Sequence, residues 1–193
     1  MPNTLSGVGS FSGVGSFSAP AIVYSVGDTG PAGGKIFYDA GSTLSWGRYM
    51  EVATNTMDPA WTTDSQPSWS AVSQLTGATA QGTAIGTGYT NTLAMVAFPS
   101  NPNSQIGRAG GLCRAYTGGG KTDWFLGSTL EMEQLYANRA SVGNIPAFGS
   151  YYWTSTEQNA QYAHSLWFTN GNTGSFNSKS TDGHNRIRPI RYV

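Results

Sequence analysis

Residues 128–139, STLEMEQLYANR, are the one stretch of this chain that commits to a helix on local grounds. Ser128 is a good N-cap. Glu131, three residues on, completes a capping box, in which each side chain satisfies a backbone N–H of the first turn. Leu130, Gln134 and Leu135 follow at helical spacing, and Arg139 sits near the end where the helix dipole favours positive charge. Beyond it the pattern changes. Residues 151–154, 164–169, 175–178 and 186–191 read as short strands, and TNGN at 169–172 is strong hairpin chemistry. Strands, then helices, then strands again make the fold class α+β.

The upstream half supplies the other elements. Residues 22–24 are a short apolar run read as a strand, and Asp28, Gly30, Pro31, Gly33 and Gly34 form a turn. Residues 35–38 and 49–53 read as further strands. Residues 54–88 are loop-rich and carry Trp61 and Trp69. Residues 90–97 suggest a helix ended before Pro99, and 105–116 a second one, weakened by Gly107, Gly110 and Gly111. This gives about two or three helices, short antiparallel strands and long loops. Ahead of the domain, 21–193, residues 1–20 form a Gly/Ser-rich arm with two copies of SGVGSF, at 6–11 and 12–17. The regular Val and Phe suit an extended arm that packs on a neighbouring subunit or carrier protein; a flexible linker is the alternative.

Composition narrows the function. Only 10% of residues are charged, against about 25% in an average domain. The formal net charge is zero, so no basic surface for nucleic acid is implied. The lone Cys113 excludes an internal disulfide framework and a multi-cysteine metal site, and reads as a small buried hydrophobe. There is neither a signal-peptide pattern nor an apolar run long enough for a membrane span, which leads us to expect a virion protein and no membrane insertion.

The motifs that invite catalysis fail on inspection. TGGGKTD lacks the first glycine of a phosphate loop, because position 115 is Ala, and GPAGGK has Thr29 in that place. His164 and His184 have no metal-ligand spacing. Glu131 and Glu133 point to different helix faces, and Asp28, Asp39, Asp58, Asp64, Asp123 and Asp182 are scattered singly among turns. No Ser lies in a GxSxG setting. No enzyme activity and no cofactor are expected. Calcium is the one ion left open, through loop residues such as Asp182 and Asn185 with carbonyl help. Arg188 and Arg191 could bind an anion. In the alternating RPIR segment they are better read as holding loop carbonyls or acids and closing the domain.

Taken together, DTGPAGGKIFYD (28–39), GTAIGTGYTNT (82–92), DWFLGSTLEMEQLY (123–136), YYWTSTE (151–157), FTNG (168–171) and RIRPIR (186–191) resemble the Lcl C-terminal domain family over roughly residues 24–193. Gly127 departs from the family's usual Pro before the helix. The family is similar in its last half to C-type lectin-like domains and to the formylglycine-generating enzyme fold. That enzyme works through a cysteine pair, which a chain with one cysteine lacks. The EPN-, QPD- and WND-like calcium motifs of sugar-binding C-type lectins are missing as well.

The resemblance implies a C-type lectin-like domain of the kind found in bacterial surface proteins, phage tail fibres and variable proteins of diversity-generating retroelements. Trp153, Ser155, Trp167, Phe168, Gly171, Ile187, Pro189 and Ile190 would be its scaffold. Gln158, Asn159, Gln161, Tyr162, His164, Asn172, Asn177, Ser180, Asp182, His184 and Asn185 would be its binding surface, of residue types that make adaptable contacts. The expected function is non-enzymatic recognition on a phage virion, on a tail fibre or another exposed part, against a host-surface glycan or protein. Other virion proteins would be held through the arm. Symmetric homo-oligomerisation is expected, since fibre tips are often trimers. The alternatives are a virion decoration or fibre protein without receptor binding, a bacterial surface adhesin, and an enzyme of the formylglycine-generating type.

Overall fold

The first and last strands of the domain meet in one sheet. In the computed structural model, which describes residues 22–54, 66–98, 107–143, 151–180 and 185–193, β1 (Lys35–Leu44) turns back into β2 (Gly47–Val52). The C-terminal β7 (Pro189–Tyr192) pairs antiparallel with β2, placing Met50 opposite Tyr192 and Val52 opposite Ile190. The short β3 (Phe125–Leu126) adds to the far side of β7, so the sheet order is β1-β2-β7-β3. The second sheet is a meander of β4 (Tyr151–Glu157), β5 (Tyr162–Trp167) and β6 (Asn172–Ser178). Among the described residues there are four α-helices, α1 (Gly88–Ala97), α2 (Ala109–Ala115), α3 (Thr129–Ala137) and α4 (Arg139–Val142), and both sheets are antiparallel. The class is α+β.

The helix at 128 forms as its sequence dictates. Ser128 and Glu131 make the capping box. Glu131 does more than cap, because it is fully buried. Its Oε2 accepts the Ser128 N–H at 2.8 Å, and its Oε1 accepts the Gly86 N–H at 2.8 Å and the Tyr192 hydroxyl at 2.6 Å. One carboxylate thus ties α3 to the loop before α1 and to the last strand. Burial raises its pKa above the usual carboxylate range, against the lowering by the Tyr192 hydroxyl and the backbone N–H groups. Arg139 opens α4 rather than closing α3, yet its guanidinium still caps the earlier helix, donating to Tyr136 O at 2.7 Å.

Two apolar clusters fill the space between the layers. One joins Phe37, Met50, Phe125, Met132, Leu135, Tyr152, Leu166 and Phe168, between the first sheet, α3 and one face of the meander. The other, with Trp69, Met95, Ala109, Cys113, Leu126, Trp153, Ala163 and Ile187, lies on the meander's opposite face. Cys113 is fully buried there. Helix α2 is shorter than the sequence suggests, and Gly107 lies outside it. Gly110 is tolerated inside it because a Cβ there would lie 3.1 Å from the Met95 side chain, so it lets α1 and α2 approach closely.

Three other expectations change or resolve. Residues 22–24 form no strand, and Ile22 and Val23 stay exposed. Among the described residues no backbone pairs with them, and the turn that follows spends its bonds on β1: Gly27 N–H donates to Ile36 O and Ile36 N–H to Asp28 O. The two glycine-rich loops are packing devices. The GPAGG turn wraps the buried Glu51 carboxylate, which accepts the N–H groups of Ala32 and Gly34 at 3.0 and 2.7 Å. Gly119, at φ 65°, presses on Ala32, whose carbonyl oxygen would lie 2.0 Å from any Cβ. Arg188 and Arg191 close the domain. Arg188 donates to Ala53 O at 3.1 Å, while Arg191 forms a two-pronged pair with Asp123 and reaches Glu51 at 3.0 Å.

Candidate recognition surface

The β4–β5 hairpin has a side chain in charge of its turn. The Asn159 Oδ1 accepts the N–H groups of Gln161 and Tyr162, both at 2.9 Å, while Gln158 and Asn159 N–H donate to Tyr162 O. This is the local bonding that favours Asn in turns. Two further segments come up against the hairpin. Lys179, just past β6, donates its N–H to Gln161 O at 2.9 Å, and its own carbonyl accepts the Ser70 N–H at 2.9 Å. The Trp69 indole donates to Thr154 O at 2.8 Å, and the Ser73 and Ser180 hydroxyls bond each other at 2.9 Å.

A buried ion pair locks this junction. Lys179 Nζ lies 2.7 Å from Glu157 Oε1, with both side chains fully buried. Nζ also donates to Gln74 O at 2.5 Å and stands 5.1 Å from the centre of the Trp69 ring, while Glu157 accepts the Thr76 N–H at 2.7 Å. Burial lowers the Lys179 pKa, and the hydrogen bond and charge of Glu157 act against that shift. In a low-dielectric site such a pair is costly to form and more costly to break, so it fixes geometry. Above it are uncharged side chains: Ser73, Gln74, Asn159 and Gln161 are exposed, and Gln158, Tyr162 and Ser180 are half-buried.

The structure therefore gathers five of the expected binding residues, Gln158, Asn159, Gln161, Tyr162 and Ser180, at one end of the meander. Asn172 is exposed at the other end, in register with Trp167 and through it with Tyr151, whose rings stack at 5.5 Å. Five residue steps along β5 separate the two ends, about 17 Å of strand. His164 faces α3, half-buried, with Nδ1 3.2 Å from Thr129 Oγ1, and burial lowers its pKa while Glu133 opposes. Asn177 is spent inside the sheet on the Ser165 hydroxyl. Asn185 corrects the sequence reading outright: it is buried, because the chain there runs into the core through the bridge between Arg186 and Tyr152 and the buried Ile187. Asp182 and His184 lie outside the described residues, as do the arm, Asp58, Trp61 and Asp64.

No protein-family model matches the chain, and no curated protein matches it.

Lys179 and Glu157 are the residues that sequence reading passed over. In SKST a lone lysine reads as solvated. The signal was in β4, where Glu157 continues the alternation of Trp153 and Ser155 and so falls on a face otherwise assigned to scaffold. Ser73 and Gln74 were concealed in a long loop whose landmarks were Trp61 and Trp69. The scaffold assignment itself fares well, since Trp153, Ser155, Phe168, Ile187, Pro189 and Ile190 are buried and Trp167 and Gly171 are half-buried. Among the described residues, no three His, Cys, Asp or Glu side chains come together in a way that could hold a metal ion. Nor is any helix there long and apolar enough to cross a membrane.

Proposed function

We propose that this chain is a non-enzymatic recognition protein with a C-type lectin-like fold, carried on an exposed part of a phage virion such as a tail fibre. It holds a host-surface glycan or protein on the end of the meander formed by the β4–β5 hairpin, residues 70–76 and Ser180. The observation that carries this reading is the division of labour around Glu157 and Lys179. A fully buried ion pair and Trp69 pin three loop segments into one rigid base, and the base presents uncharged amide and hydroxyl groups to solvent. Such groups make adaptable hydrogen bonds to neutral polar ligands without the desolvation cost of charge. Mounting loops on a rigid base also limits the ordering entropy lost on binding. The virion setting follows from the family resemblance in the sequence.

The test uses the full chain, fluorescently labelled, against a panel of bacterial cells and their purified surface polysaccharides. Gln161→Arg and Ser73→Arg place bulky charge at exposed positions of the junction. Binding by the wild type that both variants lose, with unchanged melting, supports the reading. A chain that binds no member of the panel, or variants that bind as the wild type does, would falsify it.

A further inference from the structure

The end of the meander opposite the hairpin carries a row of side chains that the recognition surface leaves unused. Tyr151 on β4 pairs with Trp167 on β5, and Trp167 pairs with Asn172 on β6. Residues directly opposite in antiparallel strands put their side chains on one face, so the three cross the sheet side by side. The Tyr151 and Trp167 rings are 13° from parallel, with centres 5.5 Å apart. Gly174 makes room for them: a Cβ there would lie 3.7 Å from Tyr151 Cε1, and a longer side chain would crowd the ring. The row is open to solvent. Tyr151 is 37% exposed, Trp167 is half-buried and Asn172 is exposed. Among the described residues, the Tyr151 hydroxyl, the Trp167 indole N–H and the Asn172 side-chain amide make no hydrogen bond.

Size and charge decide what such a row can hold. A Tyr or Trp side chain carries about 150–250 Å², so at this exposure the pair offers on the order of 100–150 Å² of ring surface. A stable protein partner removes about 800 Å² on each side, and the rim here is the small polar Thr169, Asn170 and Asn172. The next row on the same face, Trp153, Ser165 and Gly174, is uncharged. Glu133 and Arg186 belong to the other face, the first through the Thr173 hydroxyl and the second through its bridge to Tyr152. The fitting ligand is therefore small, flat and neutral, with an apolar face and a rim of hydrogen-bonding groups. We propose that Tyr151, Trp167 and Asn172 form a subsite for one neutral pyranose ring of a glycan. The C–H face of the sugar lies on the aromatic pair, and its hydroxyls bond the phenol, the indole N–H and the amide. A charged sugar would lose hydration here without meeting an opposite charge. The subsite lies about 17 Å along the strand from the hairpin surface and binds without it.

Saturation-transfer NMR on the full chain tests it. The probes are the methyl glycosides of glucose, galactose, mannose and N-acetylglucosamine, with sialic acid as a charged sugar and adenosine as a flat aromatic. At least one neutral glycoside should bind at millimolar concentration, with the strongest transfer to its ring C–H protons. Tyr151→Ala should weaken that glycoside roughly tenfold. Asn172→Ala should weaken it too, and both variants, at exposed positions, should melt as the wild type does. Gln161→Arg, at the hairpin end, should leave it unchanged. Binding by none of the neutral glycosides, equal binding in Tyr151→Ala and Asn172→Ala, or a preference for sialic acid or adenosine would overturn the proposal. So would loss in Gln161→Arg with retention in Tyr151→Ala, which moves the sugar to the hairpin surface. Loss of cell binding in Gln161→Arg with glycoside binding intact bears only on the hairpin reading.

Discussion

Replacing Lys179 by Met asks whether the buried pair is the base on which the loops stand. The substitution keeps the length and apolar stem of the side chain and removes the charge. It leaves Glu157 fully buried, with the Thr76 N–H on Oε1 and no partner for Oε2. Removing one member of a buried pair costs about 3–5 kcal/mol. In a domain of this size each kcal/mol lowers Tm by about 2–4 °C, so melting should fall by roughly 6–20 °C. The double variant Lys179→Met/Glu157→Leu removes the stranded charge and should return to within about 1 kcal/mol of the wild type, as apolar replacement of a whole buried pair often does. Urea denaturation followed by tryptophan fluorescence measures both, and hydrogen exchange at Ser70 and Thr76 reports whether the loop loosens with the pair. A single variant within about 1 kcal/mol of wild type, or a double variant as unstable as the single, would refute the reasoning.

Other consequences follow from the same structure. Gly119→Ala should cost several kcal/mol, since the new Cβ meets Ala32 O at φ 65°, while Gly120→Ala, with open space at φ 69°, should cost only about 1–2 kcal/mol in thermal melts. Glu131 has a raised folded pKa, so the folded state holds a proton the unfolded state has released, and stability falls as pH rises from the ordinary Glu pKa through the folded one. Glu131→Gln should abolish that slope in urea titrations at stepped pH and cost about 1–3 kcal/mol near neutrality, because an amide N–H2 meets backbone donors. Asp123 behaves oppositely. The hydrogen bond from Arg191 lowers its pKa, so its contribution is present above the ordinary Asp range and is lost as pH falls through the folded pKa. Arg191→Lys, which gives up the two-pronged geometry, should lose about 1.5–3 kcal/mol at neutral pH and weaken that acid dependence.

The parts of the fold that were legible are those governed by local chemistry. The capping box announced α3, and TNGN announced the β5–β6 turn. Elements that owe their existence to distant partners were not legible. Residues 22–24 have strand composition but no strand to pair with. β1 runs to Leu44 because β2 returns along it, although DAGST lacks strand character. The candidate surface was half legible for the same reason. Small polar residues marked the β4–β5 hairpin, but composition cannot tell Gln161, displayed, from Asn177, bonded to Ser165, or Asn185, buried. Nor can a list of polar residues reveal that Ser73, about a hundred positions upstream of Ser180, belongs to the same surface.

The most direct test of the display reading is a saturation scan of residues 151–180 in the full chain, sorted separately for protease resistance and for binding to the bacterial panel. The account predicts that substitutions at Trp153, Glu157, Ala163, Ser165 and Lys179 lose resistance and binding together. Substitutions at Gln161 and Ser180 should keep resistance while binding changes. Binding that never varies independently of resistance at those two positions would contradict it.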